Sequence, residues 1–404
     1  MASFSTYNSS FNTDFCLQLA YRVLQKQTEK GSNFVASPLS LHIILSLVAA
    51  GSKGKTLEQL LSFLGSESKD ELNSLSSQFL SRLRHAEGTK SGGPNLSFVN
   101  GAWVEKTFGL KTSFEEIVKN VYKSQIEAVD FKNKAEEVAQ EVNSWVENAT
   151  NGLIRHIVPS GSLIPRTRLV LANALYFKGA WDKRFDSSMT ETRSFNLLNG
   201  ENVKVPFMTS KRCGSYYYRS FQNHFNSFEN YKVLSIPYQC GSNPFKFAMY
   251  FFLPHGKHGL PNLIHTLNSN PRFLNQNFEL QREEISELWI PKFKFSYNVE
   301  AEKAMKELGL TLPFMPGELT EVSDSFSSHK LHVSKILHKA FVEVDEEGTE
   351  AAACTIVSAI QCCASVAMPK ISFVADHPFI FMIREETSKA VFFIGAVLNP
   401  LLDS

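Results

Sequence analysis

Up to Asn148 the apolar residues recur mostly at helical spacing; from Arg168 onward they run together or alternate as strands do. Residues 14–27 place Phe15, Leu19, Val23 and Leu24 on one side of a helix that Gly31 ends. Ser37-Pro38 reads as an N-cap followed by proline at the first helical position. It opens an apolar helix through Leu41, Ile44, Leu45 and Val48 to Gly51. Short helices are predicted over 56–64 and 70–83, and Ser91-Gly92-Gly93-Pro94 breaks the pattern. Residues 96–104 read as a buried strand. Residues 133–148 read as an amphipathic helix with Asn133 as cap and Glu136 as its capping-box partner. The run 168–177 is almost continuously apolar, as a central strand covered on both faces must be. More strands are predicted at 204–208, 231–237, 245–253, 287–295, 332–344, 379–384 and 391–397, with helices over 261–275 and 301–308 between them. Helices first, strands later, without a repeat or a long linker, predict one α+β domain over residues 1–404.

Composition narrows the classes. A chain of 404 residues with 43% hydrophobic content can bury a large core, and 33 phenylalanines suit sheet packing. Forty-one basic against 40 acidic residues give no field of one sign, so neither nucleic acid nor membrane is expected as a partner. The longest apolar runs, such as 43–45 and 47–50, are too short to span a bilayer. Met-Ala-Ser-Phe-Ser-Thr-Tyr at the start lacks a basic region and an apolar run. A cytoplasmic or nucleocytoplasmic protein is therefore expected ahead of an extracellular one, and a monomer is expected. On that reading the sequons at Asn8, Asn95 and Asn148 are chance matches. Cysteines stand at 16, 213, 240, 354, 362 and 363 with no zinc spacing, and adjacent Cys362 and Cys363 pair only through a strained ring. That usage suits a reducing compartment.

Catalytic patterns fail one by one. Gly54-Lys55-Thr56 resembles the end of a phosphate loop, but the required first glycine is Ala49. The His255/His258 and His329/His332 pairs lack carboxylates at ligand spacing, so they read as surface histidines. Arg82, Arg84 and His85 end a helix, where they suit its dipole. Neither an esterase elbow nor a zinc-protease motif occurs. The residues predict no enzyme, no metal and no cofactor.

One stretch is unusual. Residues 346–367 begin acidic and continue through three alanines, and from Ala351 the chain carries no charge until Lys370. As a strand, Thr349, Ala351, Ala353, Thr355 and Val357 would share one face, with Glu350 on the other. As a helix or an exposed loop, the same alanines serve equally well.

Several segments together decide how that stretch is read. Asn173-Ala-Leu-Tyr-Phe-Lys-Gly-Ala-Trp181, Ser37-Pro-Leu-Ser40, Leu337-His-Lys-Ala340 and Val342-Glu-Val-Asp-Glu-Glu-Gly-Thr-Glu-Ala-Ala352 stand in the order the serpin family shows. So do Phe373-Val-Ala-Asp-His-Pro-Phe379 and Phe393-Ile-Gly-Ala-Val-Leu-Asn-Pro400. The chain resembles the serpins, protease inhibitors by family, and their plant branch in particular.

The resemblance implies three β-sheets, about nine helices and an exposed reactive loop over about residues 346–370. It implies a suicide substrate: a serine or cysteine endopeptidase attacks the loop, and the cut loop inserts into the large sheet. By family count the reactive bond lies between Cys362 and Cys363, and a one-residue difference in loop length moves the key residue to Gln361 or Cys363. The target is then expected to accept a small, uncharged residue, as elastase-like or papain-like enzymes do. The plainer reading makes the two cysteines incidental loop residues or a redox-sensitive pair. The hinge is Glu346, Glu347, Gly348, Thr349, Glu350, Ala351, Ala352 and Ala353. Ser37, Ser40, Asn173 and His338 are the polar cluster beneath the sheet. Trp181 and Lys292 mark where insertion begins, with Lys292 expected to pair with Glu346. The alternative is a non-inhibitory binding or storage protein on the same fold.

Overall fold

The structure is a computed structural model that describes residues 14–87, 94–210, 214–221, 231–241, 245–269, 278, 280–348 and 371–402. Its strands are β1 (Phe34–Ala36), β2 (Asn95–Glu105), β3 (Gln125–Val129), β4 (Leu169–Lys178) and β5 (Glu191–Asn196). Next come β6 (Asn202–Thr209), β7 (Gly214–Phe221), β8 (Tyr231–Pro237), β9 (Phe247–Pro254) and β10 (Gln281–Pro291). The last are β11 (Phe293–Glu300), β12 (Val333–Val344), β13 (Ile371–Val374), β14 (Phe379–Glu385) and β15 (Val391–Val397). Eight α-helices lie among the described residues: α1 (Asp14–Lys30), α2 (Pro38–Ala50), α3 (Gly54–Leu64), α4 (Lys69–Glu87), α5 (Thr112–Asn120), α6 (Phe131–Ala149), α7 (Leu260–Ser269) and α8 (Ala301–Glu307).

One five-stranded sheet runs β11-β12-β4-β2-β3. The other strands form a ten-stranded ladder, β1-β15-β14-β9-β8-β7-β10-β6-β5, with β13 also on β10. That ladder divides at β10. Its first half pairs with β7 and its last residues with β6, and a bulge between Ile285 and Glu287 bends it against β13. The result is a six-stranded sheet from β1 to β7 and a four-stranded sheet of β5, β6, β10 and β13. Three sheets and the helices around them make an α+β fold of the kind the resemblance implies.

The five-stranded sheet is covered on both faces, which is why β4 is buried at every position from Leu169 to Phe177. On one face lies the main core, with α2 buried along its whole length. Ser37 caps α2 as its sequence predicts, accepting a hydrogen bond from the Ser40 N–H, with Pro38 following. On the other face α6 packs Val138, Val142 and Val146 against Trp103, Tyr176 and Leu337.

Two local expectations need correction, and a third is covered only in part. Helix α6 is capped by Asp130, whose carboxylate takes the Asn133 N–H, so Asn133 lies inside the first turn. Glu136 instead accepts from the Ser160 hydroxyl and the Gly161 N–H. The apolar run 287–295 is two strands of different sheets, broken at Lys292, whose N–H reaches the Pro206 carbonyl. Of the helix predicted over 261–275, the structure shows Leu260–Ser269, and residues 270–275 lie outside the described residues. Gly54 opens α3, and Thr56 donates to the Glu318 carboxylate, an arrangement unsuited to a phosphate.

Candidate functional site at the β4–β12 seam

Strands β4 and β12 lie side by side and parallel, from Val333 opposite Leu169 to Phe341 opposite Tyr176. Both flanking pairs, β11 with β12 and β2 with β4, are antiparallel. The seam is therefore a parallel pair at the centre of the sheet, and parallel pairing is slightly the weaker kind.

Asn173 and His338 face each other across this seam in direct register. Both are fully buried, as are Ser37 and Ser40 on α2 and its cap. The His338 Nε2 accepts the Ser37 N–H at 2.9 Å, so the ring proton sits on Nδ1 and is donated to the Asn173 Oδ1 at 2.8 Å. Asn173 in turn donates its amide to the Asn100 Oδ1 at 2.7 Å and the Val99 carbonyl at 3.3 Å. The chain of bonds has one direction and requires a neutral ring. Burial pushes the His338 pKa down to about 3. Ser40 joins only through its backbone N–H, since its hydroxyl finds no partner among the described residues. Asn100 was not foreseen; its signal was a polar residue facing Asn173 inside the apolar run of β2.

At the upper end of the seam the chain leaves β12 through a tight turn. The Asp345 N–H reaches the Gly348 carbonyl at 2.9 Å and the Gly348 N–H reaches back at 3.3 Å. The Asp345 Oδ1 also accepts the Glu347 and Gly348 N–H groups, at 3.0 and 3.2 Å. Gly348 then lies against the end of β4, bridged antiparallel to Ala180, while the Trp181 N–H donates to the Glu347 carbonyl at 2.8 Å. Its φ is +136°, and a Cβ there would stand 2.1 Å from the Gly179 carbonyl oxygen, so only glycine fits.

Side chains anchor this turn. Trp181 is 1% exposed, stacks on Tyr238 at 4.5 Å, and donates its indole N–H to the Asp345 carbonyl at 2.9 Å. The Lys292 ammonium stands 2.7 Å from Glu346, whose other oxygen accepts from the Thr190 hydroxyl. Burial works to raise the Glu346 pKa, but Lys292 and Thr190 outweigh it and hold the carboxyl below its usual range. Arg184 comes within 3.7 Å of Glu347. The predicted Lys292–Glu346 pair is thus present; Asp345, Thr190 and Arg184 were not foreseen. Hinge residues Thr349, Glu350, Ala351, Ala352 and Ala353, and the Cys362–Cys363 bond, lie outside the described residues.

A family model described as serpin (serine protease inhibitor) matches residues 10–400. The chain belongs to the serpin family. Serpin-ZX of Arabidopsis thaliana is 42% identical over 97% of this serpin and 98% of its own length. Serpin-Z1C of Triticum aestivum is 43% identical over 97% and 96%. Among solved structures, Arabidopsis AtSerpin1 in its native stressed conformation superposes with a TM-score of 0.84 at 41% identity. It covers 97% of this serpin and 99% of its own chain. Uncleaved ovalbumin shares the fold at 23% identity, with a TM-score of 0.80 over 97% of this chain and all of its own.

Proposed function

We propose that this serpin is a suicide-substrate inhibitor of endopeptidases, acting by loop cleavage and insertion of the cut loop between β4 and β12. The observation that carries the reading is a coincidence of register. Counting on antiparallel from the Ala180–Gly348 bridge, Thr355 falls opposite Asn173. Counting on from the Asp345–Gly348 turn as a hairpin, Thr355 falls opposite His338. Asn173 and His338 already face each other across the seam. One inserted strand therefore satisfies both neighbours at once.

The same count sets the faces. Thr349, Ala351 and Ala353 fall opposite Val344, Val342 and Ala340, all buried on the main-core side. Glu350 falls opposite half-buried Glu343 on the other side. Small residues go where space is scarce. Insertion replaces one parallel ladder by two antiparallel ones, and each added bond contributes about 1 kcal/mol net.

In the proposed reaction the protease nucleophile attacks the carbonyl carbon of Cys362. The Cys362–Cys363 peptide bond breaks and Cys363 leaves as a free amine, giving an acyl-enzyme. Insertion then carries the acylated enzyme away before water completes hydrolysis, so inhibition is kinetic. Cys362 is a small, weakly apolar residue, which favours elastase-like or papain-like targets. The free thiol of Cys240 is in keeping with a reducing, cytoplasmic or nucleocytoplasmic setting.

Incubation with elastase-like and papain-like enzymes should yield a complex that survives boiling in detergent. Cleavage of the loop by every enzyme, each remaining fully active and the melting temperature unchanged, would leave the non-inhibitory binding or storage reading in its place.

A further inference from the structure

At the opposite end of the seam, where β4 and β12 begin, two apolar side chains stand in solvent. Phe326 is 96% exposed and Ile164 is 51% exposed. Ile164 belongs to a turn closed by the Thr167 N–H on the Ile164 carbonyl at 2.8 Å, which feeds β4. Phe326 opens the short turn 326–330 that feeds β12, its ring edge-on to His329 at 6.2 Å. The two turns are tied together: the Arg168 N–H donates to the Ser334 hydroxyl at 2.9 Å, and that hydroxyl lies 3.4 Å from His332.

The surface between them is cationic. Arg166, Arg168, Lys306 and Lys330 have no carboxylate partner among the described residues. Arg168 donates to the Pro165 and Thr167 carbonyls, and Lys306 lies 4.9 Å over the Phe314 ring. The nearby acids are already engaged, Asp324 and Glu321 by Lys111 and Glu302 by Lys335. His332 feels the excess: burial first, then the field of Arg168 and Lys306, hold its pKa below the usual value.

The count from the Ala180–Gly348 bridge puts Cys362 opposite Arg166, and the count from the turn puts it opposite Leu331. An enzyme acylated at Cys362 would arrive on this face. We propose that the pole formed by Ile164, Arg166, Arg168, Lys306, Phe326 and Lys330 is a docking face for an acidic surface of the trapped endopeptidase. It discriminates among targets after the loop has been read. This inference rests on the inhibitory reading above. The occupant is argued from charge: four cations without counter-charges and an exposed ring fit an acidic patch with an apolar socket.

The test uses the full-length protein and two endopeptidases that both cleave the loop, one acidic and one basic in surface charge. The half-life of the detergent-stable complex is measured at low and high salt. The double variant Arg166→Glu/Lys330→Glu should shorten it about tenfold with the acidic enzyme at low salt. High salt should erase most of that difference, and the basic enzyme should show no loss. Phe326→Ala should cost a few-fold with the acidic enzyme at either salt. In both variants the melting temperature should rise on loop cleavage as in wild type. Unchanged half-lives with that rise intact would overturn the docking face and leave the inhibitory reading standing. A wild-type protein that forms no complex and gains no stability on cleavage would overturn both.

Discussion

The two sheets that meet at the main core are held in opposite ways. Strands β14 and β15 pair antiparallel, are buried at every position, and pack rings against rings of β11 and β9. Phe381 lies 5.5 Å from Phe293, and Phe392 lies 4.9 Å from Phe247. The β4–β12 seam is parallel and carries Asn173 and His338 at its middle, hydrogen-bonded to each other and to the cap of α2. Apolar packing loses energy gradually and everywhere when it is disturbed. A hydrogen-bonded pair across a parallel seam can be exchanged for another partner at nearly constant energy, provided that partner is polar and in register. The molecule concentrates apolar cohesion in one sheet and exchangeable polar contacts in the other, and the proposed insertion rests on that division.

The contrast can be broken most completely at Thr349. Thr349→Arg places a charge opposite buried Val344 on insertion. It should abolish the detergent-stable complex while cleavage continues, and should remove the rise in melting temperature that follows cleavage. A variant that traps as well as wild type would show that the seam is not where the loop goes.

The antiparallel side is tested by Phe381→Ala, which should cost about 3–5 kcal/mol. Guanidinium unfolding should show that loss in the intact and the loop-cleaved protein alike, because this packing is common to both. A loss confined to the intact form would contradict a division of roles between the two sheets.

On the seam side, Asn173→Ala leaves the His338 Nδ1–H without its acceptor and should cost about 1–3 kcal/mol in the intact protein. The pH dependence separates this pin from the rest. His338 has its folded pKa lowered to about 3, so between there and its ordinary value near 6.5 the unfolded chain binds a proton that the folded chain refuses. Intact stability should therefore be full above about pH 6.5 and fall as pH drops toward 3. His338→Gln should lose that part of the slope. His42, lowered to about 4 by burial, supplies a similar slope in both proteins and cancels in the difference. The smallest effect is expected from Lys292→Met, about 1 kcal/mol or less, since the ammonium is partly solvated. Its loss should also let the Glu346 carboxyl titrate higher, as burial is then opposed only by the hydrogen bonds from Thr190 and from the Glu346 backbone.

Some of this architecture was legible in the chain. Ser37-Pro38 announced the start of α2, and the unbroken apolar run of β4 announced a strand covered twice, because caps and burial leave local residue patterns. The family order of segments pointed to Ser37, Asn173 and His338 and to the Lys292–Glu346 pair. Other features could not be read locally. The cap of α6 depended on where the helix begins: Asp130 takes the Asn133 N–H, which puts Asn133 inside the first turn and not ahead of it. The break at Lys292 depended on a carbonyl of β6 far away in the chain.

Which residues are small, apolar or charged is written in the chain, and with it an α+β fold and a charge-free stretch near the end. That β4 and β12 lie parallel, that Asn173 meets His338, and that Gly348 is seated beside Ala180 emerges with the folded molecule. Periodicity tells which face of a strand is buried, but register and neighbours come from contacts between residues far apart in the chain, and those appear only once the sheet has closed.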